Sequence, residues 1–287
     1  MSDNPEKGTP ADPPEPAATR FESYDEIRAA LEARQKKQKR PAKPGSIPVA
    51  APAPVEPEVR RERPLLRPPM ALLCILDDGS VEGEWVRLRA ERTVLGRAES
   101  DVRIPHDAMI SGQHAEIRRQ KHGQGYQWVL VDLQSTNGTF IRVSSTVLRP
   151  GAEIIIGRGR YRFEAGVGAA ATTTDSPPHE TRAWAGAPLQ TLVPSMVEMT
   201  PGGPGQRLAL TRQEYWIGRD ASACLLARPD DVLVNPRHAR LYRDVKGQWF
   251  VENNKSVNGL WLRVEKIPLE TACQIRLGEQ RFLFRTC

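Results

Sequence analysis

Three short groups of polar residues stand out because their side chains and backbone amides can donate hydrogen bonds. They are Gly96-Arg97, Ser111 with His114, and Ser135-Thr136-Asn137-Gly138. Arginine offers a planar fork of donors, and serine and threonine add short hydroxyls. Residues of these types could hold an anion if the fold brought the three groups together.

Each group lies at the end of a predicted strand. Apolar runs at residues 128–131 and 140–143 flank the third group, and an Asn-Gly pair between two such runs is typical of a hairpin turn. From Met70 onward, short strands alternate with turn residues, and no segment has convincing helical periodicity. The pattern predicts an all-β fold, a sandwich or a barrel.

The hairpin turn occurs a second time. Ser256, Asn258 and Gly259 repeat Ser135, Asn137 and Gly138 at an offset of 121 residues. Other matches follow at offsets between 121 and 124: Leu95-Gly96-Arg97 with Ile217-Gly218-Arg219, His114-Ala115 with His238-Ala239, and Ile156-Gly157 with Leu277-Gly278. The chain is therefore predicted to contain two copies of one domain.

The order and spacing of the three groups resemble the forkhead-associated (FHA) domain. The segments that carry the resemblance are Ile110-Ser111-Gly112-Gln113-His114-Ala115-Glu116-Ile117 and Asp132-Leu133-Gln134-Ser135-Thr136-Asn137-Gly138-Thr139. The resemblance extends from about residue 70 to 165 and implies a sandwich of two twisted sheets whose loops bind phosphothreonine peptides. A phosphate carries nearly two negative charges and three strong acceptors, which suit the arginine fork.

By this resemblance the phosphothreonine site consists of Arg97, Ser111, Gly112, Thr136 and Asn137. Arg97 and the Ser111 hydroxyl would hold the phosphate, and Thr136 would add its hydroxyl or its backbone amide. Gly112 replaces the polar or basic residue common in the family and would offer only its backbone N–H, while Asn137 would hold the peptide main chain. The expected structural support comes from Gly96, His114, Ser135 and Gly138. Taken alone, Arg97 could be a surface salt-bridge partner and Ser111 an ordinary turn hydroxyl.

Two further positions in the first copy bear on this assignment. His114 is interpreted as a structural residue rather than a catalytic one, because the second copy keeps it as His238. Met109 lies where the family often places a residue that contacts the third position after the phosphothreonine, which hints at an apolar preference.

The second copy departs from the family pattern. Asn235 stands in place of Ser111, Pro236 after it removes an amide donor, and Val257 replaces Thr136. A weak second site at Arg219, Asn235 and Asn258 is conceivable, but we expect a degenerate copy that docks a partner.

Composition divides the chain into four parts. Residues 1–68 are expected to be a disordered, Pro-rich tail with a short helix near 24–39, and residues 167–192 a flexible linker. The first FHA domain is predicted at 69–166 and the degenerate second at 193–287. Ser23 and Glu26 look like a capping box for the short helix. A transient, solvated helix is favoured over a docking helix because its apolar stripe is thin.

Composition also excludes several classes of function. The net charge of +6 is spread along the chain, and the only dense basic run is Arg34 to Lys43, so nucleic acid is not an expected partner. No signal peptide, membrane span or metal-ligand spacing of the four cysteines is recognisable. We expect a cytoplasmic protein without cofactor, metal or membrane contact.

The favoured hypothesis is a signalling adaptor, not an enzyme, whose first copy reads phosphothreonine made by a Ser/Thr kinase. A phosphorylated tail could bind the chain's own pocket, since Thr9, Thr19 and Thr172–Thr174 lie in segments predicted to be disordered. The alternative is a phospho-independent structural scaffold, for example in a secretion or cell-envelope assembly. A nucleic-acid regulator that uses residues 34–43 is the third hypothesis.

Overall fold

The computed structural model describes residues 19–23, 25–29, 69–80, 82–166, 193–270 and 272–286. The rest of the predicted tail and the predicted linker at 167–192 lie outside these residues, as do Thr9 and Thr172–Thr174. Within the described part, no helix is long and apolar enough to cross a membrane.

The described residues are almost entirely β, which confirms the predicted fold class. The only described helix, α1, covers residues 25–29. Strand β1 (Arg20–Phe21) precedes it. The first sequence copy contributes β2 (Ala71–Leu76), β3 (Gly83–Leu88), β4 (Arg92–Gly96), β5 (Val102–Arg103), β6 (Ala115–His122), β7 (Gly125–Asp132), β8 (Thr139–Val147), β9 (Glu153–Ile156) and β10 (Gly159–Glu164).

The second copy contributes ten strands among the described residues. They are β11 (Ser195–Thr200), β12 (Gly203–Ala209), β13 (Glu214–Gly218), β14 (Leu226–Ala227), β15 (Ala239–Arg243), β16 (Trp249–Asn253), β17 (Leu260–Val264), β18 (Lys266–Leu269), β19 (Ala272–Leu277) and β20 (Gln280–Thr286).

Alternating side chains explain why these segments form strands. In β10, Gly159, Tyr161 and Phe163 are buried, while the residues between them are half-buried. Such alternation lets one face of a strand pack into a core. Buried aromatic residues also pack between the two sheets. The rings of Trp128 on β7 and Phe284 on β20 meet edge to face with centroids 6.0 Å apart.

The two copies exchange their last three strands. β20 pairs with β2 of the first copy on one side and with its hairpin partner β19 on the other. β19 in turn pairs with β8, where Ile275 lies opposite Ile141. β18 adds to β7 at the edge of the five-stranded sheet β18-β7-β6-β4-β5. In return, β10 pairs with β11, β9 with β17, and the end of β8 with β16.

The hinge of this exchange is the pair β8 and β17. These equivalent strands run antiparallel to each other, with Ile141 opposite Leu262 at the centre. The segments 142–145 and 263–266 contain no Gly, Asn or Pro, and each contains a valine. A tight hairpin needs residues that tolerate positive φ, so each strand instead continues into the other copy.

The strand pairing therefore crosses the predicted domain boundaries. Residues 69–166 and 193–287 correspond to the two sequence copies, and their status as separate domains stays a prediction. One hydrophobic cluster contains residues of both copies, including Leu73, Ile141, Ile217 and Phe284.

The predicted disordered tail contains an ordered strand at Arg20–Phe21. β1 pairs with β8, Phe21 lies opposite Val143, and both Phe21 and Glu22 are buried. Their order comes from tertiary partners more than a hundred residues away, which composition does not reveal.

The capping box at the start of α1 forms as predicted. The Ser23 amide donates to Glu26 Oε2 at 2.8 Å, and the Glu26 amide donates to Ser23 Oγ at 3.3 Å. Ile27 is 1% exposed, so the helix packs against the protein, unlike the solvated helix that its thin apolar stripe predicts.

Candidate functional site

The first turn, between β7 and β8, is fixed by its own hydrogen bonds. The Asp132 carboxylate accepts the Ser135 amide at 3.1 Å and the Thr139 hydroxyl at 2.6 Å. Ser135 Oγ accepts the Gly138 amide at 3.1 Å, and Gly138 has a φ of +85° that a glycine tolerates. The turn that carries Thr136 and Asn137 is thus held before any ligand arrives.

His114 lies under this turn and connects it to the loop of Ser111. Its Nδ1 accepts the Ser111 amide at 3.1 Å, so Nε2 carries the proton and donates to the Gly138 carbonyl at 3.1 Å. Burial lowers the pKa of the imidazole, which favours this neutral form. The fully buried ring holds two loops in register and has no access to a ligand.

Arg97 lies beside Ser111 because two loops approach closely at Gly96. A Cβ on Gly96 would come within 2.2 Å of the Gly112 carbonyl oxygen, so only glycine fits. The Arg97 amide donates to the Ser111 carbonyl at 2.9 Å, and its Nε donates to the Ile110 carbonyl at 3.1 Å. The Nε bond orients an exposed guanidinium without engaging its two terminal nitrogens.

The other predicted site residues meet at the same place. Ser111 Oγ accepts the Thr136 amide at 3.1 Å, which leaves the hydroxyl proton free to donate. Asn137 Nδ2 donates to the Met109 carbonyl at 2.7 Å. Arg97 and Thr136 are exposed, while Ser111, Gly112 and Asn137 are half-buried. A cation, two hydroxyls and a carboxamide therefore line one accessible loop edge, a set that can bind a doubly charged oxyanion.

Sequence reasoning missed the residues behind the turn. The Asn137 carbonyl accepts from Arg160 Nη1 at 3.1 Å, and Glu153 forms ion pairs with both Arg160 and Arg263. A Cβ on Gly138 would lie 2.7 Å from Nε of Arg263, which belongs to the second copy. Arg142 and Arg263 occupy equivalent positions of the two copies, 121 residues apart. This repeated arginine was the sequence signal that could have pointed to a role behind the turn.

A second contact from the other copy holds the Met109 loop. Asp107 is buried, and its Oδ2 accepts the amides of Glu279 and Gln280 at 2.8 and 3.2 Å. In the second copy Asp231 accepts the Arg158 amide at 2.8 Å in the same way. Each candidate site is thus completed by a hairpin of the other copy, a consequence of the strand exchange.

The second copy keeps the scaffold and loses donors. His238 accepts the Asn235 amide at 3.2 Å and bonds the Gly259 carbonyl at 3.0 Å, as His114 does in the first copy. Arg219 is exposed, and Asn258 Nδ2 donates to the Leu233 carbonyl at 2.7 Å. Val257 supplies no hydroxyl, and the proline at 236 supplies no amide.

Among the described residues, no group of three His, Cys, Asp or Glu side chains could hold a metal ion. The described cysteines, Cys74, Cys224 and Cys273, are free and buried.

Comparison with known proteins gives the same two copies. A family model described as "FHA domain" matches residues 93–157 and 215–278. An "Oxoglutarate dehydrogenase inhibitor" of Corynebacterium jeikeium is 36% identical over 100 residues, which are 33% of this chain and 66% of that protein. The "FHA domain-containing protein FhaB" of Mycolicibacterium smegmatis is 29% identical over 93 residues, 31% of this chain and 57% of its own length. The chain thus spans less than two thirds of these relatives.

Solved structures include the Mycobacterium tuberculosis Rv1747 FHA-1 domain, 31% identical, with a TM-score of 0.20 over 25% of this chain and 64% of that one. A structure described as an analysis of "phosphothreonine-dependent FHA domain interactions" is 17% identical, with a TM-score of 0.28 over 75% of this chain and 95% of that one. These TM-scores are low, and the assignment rests on the family matches and the motifs. The chain therefore contains two copies that match the FHA domain, and the second lacks the serine and threonine that stand at positions 111 and 136 of the first.

Proposed function

We propose that this protein is an adaptor whose first FHA domain binds phosphothreonine peptides made by a Ser/Thr kinase. The observation that supports it most is the meeting of Arg97, Ser111 and Thr136 at one loop edge, with Asn137 beside them. Arg97 supplies the charge, and the two hydroxyls supply short donors. Asn137 would hold the peptide backbone on either side of the phosphothreonine.

The energetics favour discrimination between phosphorylated and unphosphorylated threonine. A hydrogen bond to a charged group contributes roughly 1.5–3 kcal/mol. The loss of two such bonds would weaken binding by at least about 100-fold. The rigid turn and the fixed His114 ring also lower the ordering cost of binding.

The second FHA domain is proposed to dock a partner or to hold phosphate weakly. Arg219 remains exposed, but Val257 and Pro236 have removed two of the donors that the first copy offers. The same loss favours the alternative of a phospho-independent scaffold for this half of the protein.

Self-binding of a phosphorylated tail is limited by the position of Thr19. Its hydroxyl lies 2.9 Å from the Thr146 hydroxyl at the end of β8. Phosphothreonine at 19 would have to leave this contact before it could enter the first pocket. Thr9 and Thr172–Thr174 lie outside the described residues and remain candidates.

The test is fluorescence anisotropy of the full chain with a library of phosphothreonine peptides and the same peptides unphosphorylated. We expect saturable binding to a subset of the phosphorylated peptides, competed by free phosphothreonine. Equal affinity for both forms of every peptide would favour the scaffold instead.

A further inference from the structure

An arginine from the opposite copy lies behind each of the two turns. Behind the first turn it is Arg263, and behind the second it is Arg142, 121 residues earlier. A Cβ on Gly259 would lie 2.3 Å from Arg142 Nε. Arg142 Nη2 donates to the carbonyls of Ser256 and Val257 at 3.1 and 3.3 Å. Arg142 thus holds the backbone of the second turn directly.

The acid that accompanies this arginine differs between the copies. Behind the first turn, Glu153 pairs with Arg263 and Arg160. The residue equivalent to Glu153 is Gln274, which is neutral and whose Oε1 accepts from Arg142 Nη1 at 3.2 Å. Arg281 stands where Arg160 stands. Behind the second turn both arginines are therefore present, but the carboxylate that Glu153 supplies behind the first turn is replaced by an amide.

The N-terminal segment supplies that carboxylate. Glu22 Oε2 forms an ion pair with Arg142 Nε, and its Oε1 accepts from Asn253 Nδ2 at 2.6 Å. The side chains of Arg142 and Glu22 are 1% and 7% exposed. A buried arginine needs such a partner, since burial without one strongly disfavours the charge.

Other contacts fix the segment at this position. β1 pairs with β8, and Ser144 Oγ donates to the Arg20 carbonyl at 3.0 Å. Ile27 of α1 is buried, and the capping box closes the start of the helix. The contact therefore extends from a strand through a buried ion pair to a helix.

The segment also faces the ligand side of the second copy. A cavity of about 970 Å³ has Arg20, Glu22 and Glu26 on its wall together with Arg219, Asn235 and Asn258. The last three are the residues that would form the weak second phosphate site. The first copy has no such companion segment among the described residues.

We propose that residues 19–29 are the resident ligand of the second FHA copy, held there by Glu22 in place of the carboxylate that Gln274 lacks. The second copy has become a dock for the chain's own N-terminal segment, which forms one wall of the cavity on its ligand side. This inference rests on the docking role proposed for the second copy and is independent of phosphothreonine binding by the first.

The test is a double-mutant cycle in the full chain with Glu22→Gln and Gln274→Glu. Hydrogen exchange of residues 19–29 and thermal unfolding are the two measurements. Glu22→Gln is expected to speed exchange of the segment by about tenfold or more, because it leaves a buried arginine unpaired. Glu214→Gln, which removes an exposed ion pair with Arg240 outside the cavity wall, is the matched control and should leave the exchange of residues 19–29 unchanged.

Gln274→Glu is expected to restore the carboxylate that the first copy has as Glu153. The melting temperature lost in Glu22→Gln should largely return in the double variant, while residues 19–29 still exchange fast. Unchanged exchange of the segment in Glu22→Gln, or a melting temperature that Gln274→Glu does not recover, would overturn the proposal. If Glu22→Gln alone fails to fold, recovery of folding in the double variant supports it, and continued failure overturns it.

A labelled synthetic peptide of residues 17–31 tests the ligand character of the segment. It should bind the Glu22→Gln variant, in which Arg142 lacks a carboxylate partner and the resident segment is loosened, at least about tenfold more tightly than the wild-type chain. Equal binding would overturn the proposal. Affinity of the same variants for a phosphothreonine peptide is measured in parallel. That affinity reports on the first copy alone, so failure of either proposal can be recognised separately.

Discussion

At the scale of single residues, the side chains of the first candidate site fall into two groups. Arg97, Ser111 and Thr136 are donors at an accessible edge, whereas His114 and Ser135 are buried and hold the loops. The second copy keeps the arginine of the first group as Arg219 but has Asn235 and Val257 in place of its serine and threonine. It keeps both residues of the second group, as His238 and Ser256. Stability and ligand chemistry can therefore be altered separately in this protein.

The close approach at Gly96 predicts a steric difference between two neighbouring glycines. Gly96→Ala should destabilise the protein by about 1–3 kcal/mol, since its Cβ would lie 2.2 Å from the Gly112 oxygen. Gly112→Ala is the control, because its Cβ would meet only Ala98 at 4.0 Å. Urea unfolding measures both, and equal stability of the two variants would contradict the packing described.

The buried histidines predict a pH dependence of stability. Burial lowers the pKa of His114 and His238 from the usual 6.5. As pH falls below about 6.5, the unfolded chain takes up protons before the folded protein does, so the free energy of unfolding falls. Between pH 7.5 and 5.5 the loss should be roughly 1–3 kcal/mol for the two residues, by urea unfolding. No loss over this range would contradict the neutral, bonded rings.

At the scale of elements, β8 and β17 determine how the copies combine. Each strand directly follows one of the two polar turns, at 135–138 and 256–259. Neither strand contains the turn residues that would let the chain fold back onto its own copy. The exchange places Arg263 behind the first turn and Arg142 behind the second. The two candidate sites therefore share a pair of strands.

New turn residues at the hinges should undo the exchange. Asn-Gly at positions 144–145 and 265–266 would favour a tight hairpin after each strand, so each copy could close on itself. Alanines at the same four positions are the matched control, because they remove the same side chains without favouring positive φ. Once the chain is cut within residues 167–192, the Asn-Gly variant should separate into two halves on gel filtration and the alanine variant should not. Identical behaviour would argue against the hinge explanation.

The sequence predicted elements whose signals are local. The strands, the capping box at Ser23 and the polar residues of both turns each depend on a few neighbouring residues. The exchange could not be predicted, because β9 and β19 are equivalent strands of the two copies. Their similar apolar patterns make either strand a suitable partner for β8, so the sequence does not show which of them pairs with it. The role of Glu22 was missed for a related reason, since its partners Arg142 and Asn253 are distant in sequence.

At the scale of the whole molecule, the two FHA copies form one interlocked unit. The core contains residues of both copies, and each loop edge is completed by a hairpin of the other. The molecule thus presents two loop edges of different chemistry, one with exposed Arg97 and Thr136 and one with a cavity that the N-terminal segment helps to line.

Interlocking predicts that a cut linker will not release the halves. With a protease site placed in residues 167–192, the cleaved wild-type protein should elute as a single species at its uncut size. The halves should separate only in denaturant, because the exchanged strands must unfold first. Elution of two smaller species under native conditions would contradict the exchanged pairing of β2 with β20 and β10 with β11.

The central claim concerns phosphothreonine, and isothermal titration with one phosphothreonine peptide tests it through matched arginine variants. Arg97→Ala should weaken binding about 100-fold or more, because two charge-assisted bonds are lost. Arg219→Ala removes the equivalent residue of the second copy and should leave the affinity within about twofold. If Arg97→Ala binds the peptide as tightly as the wild-type protein does, the first copy is not the phosphothreonine site.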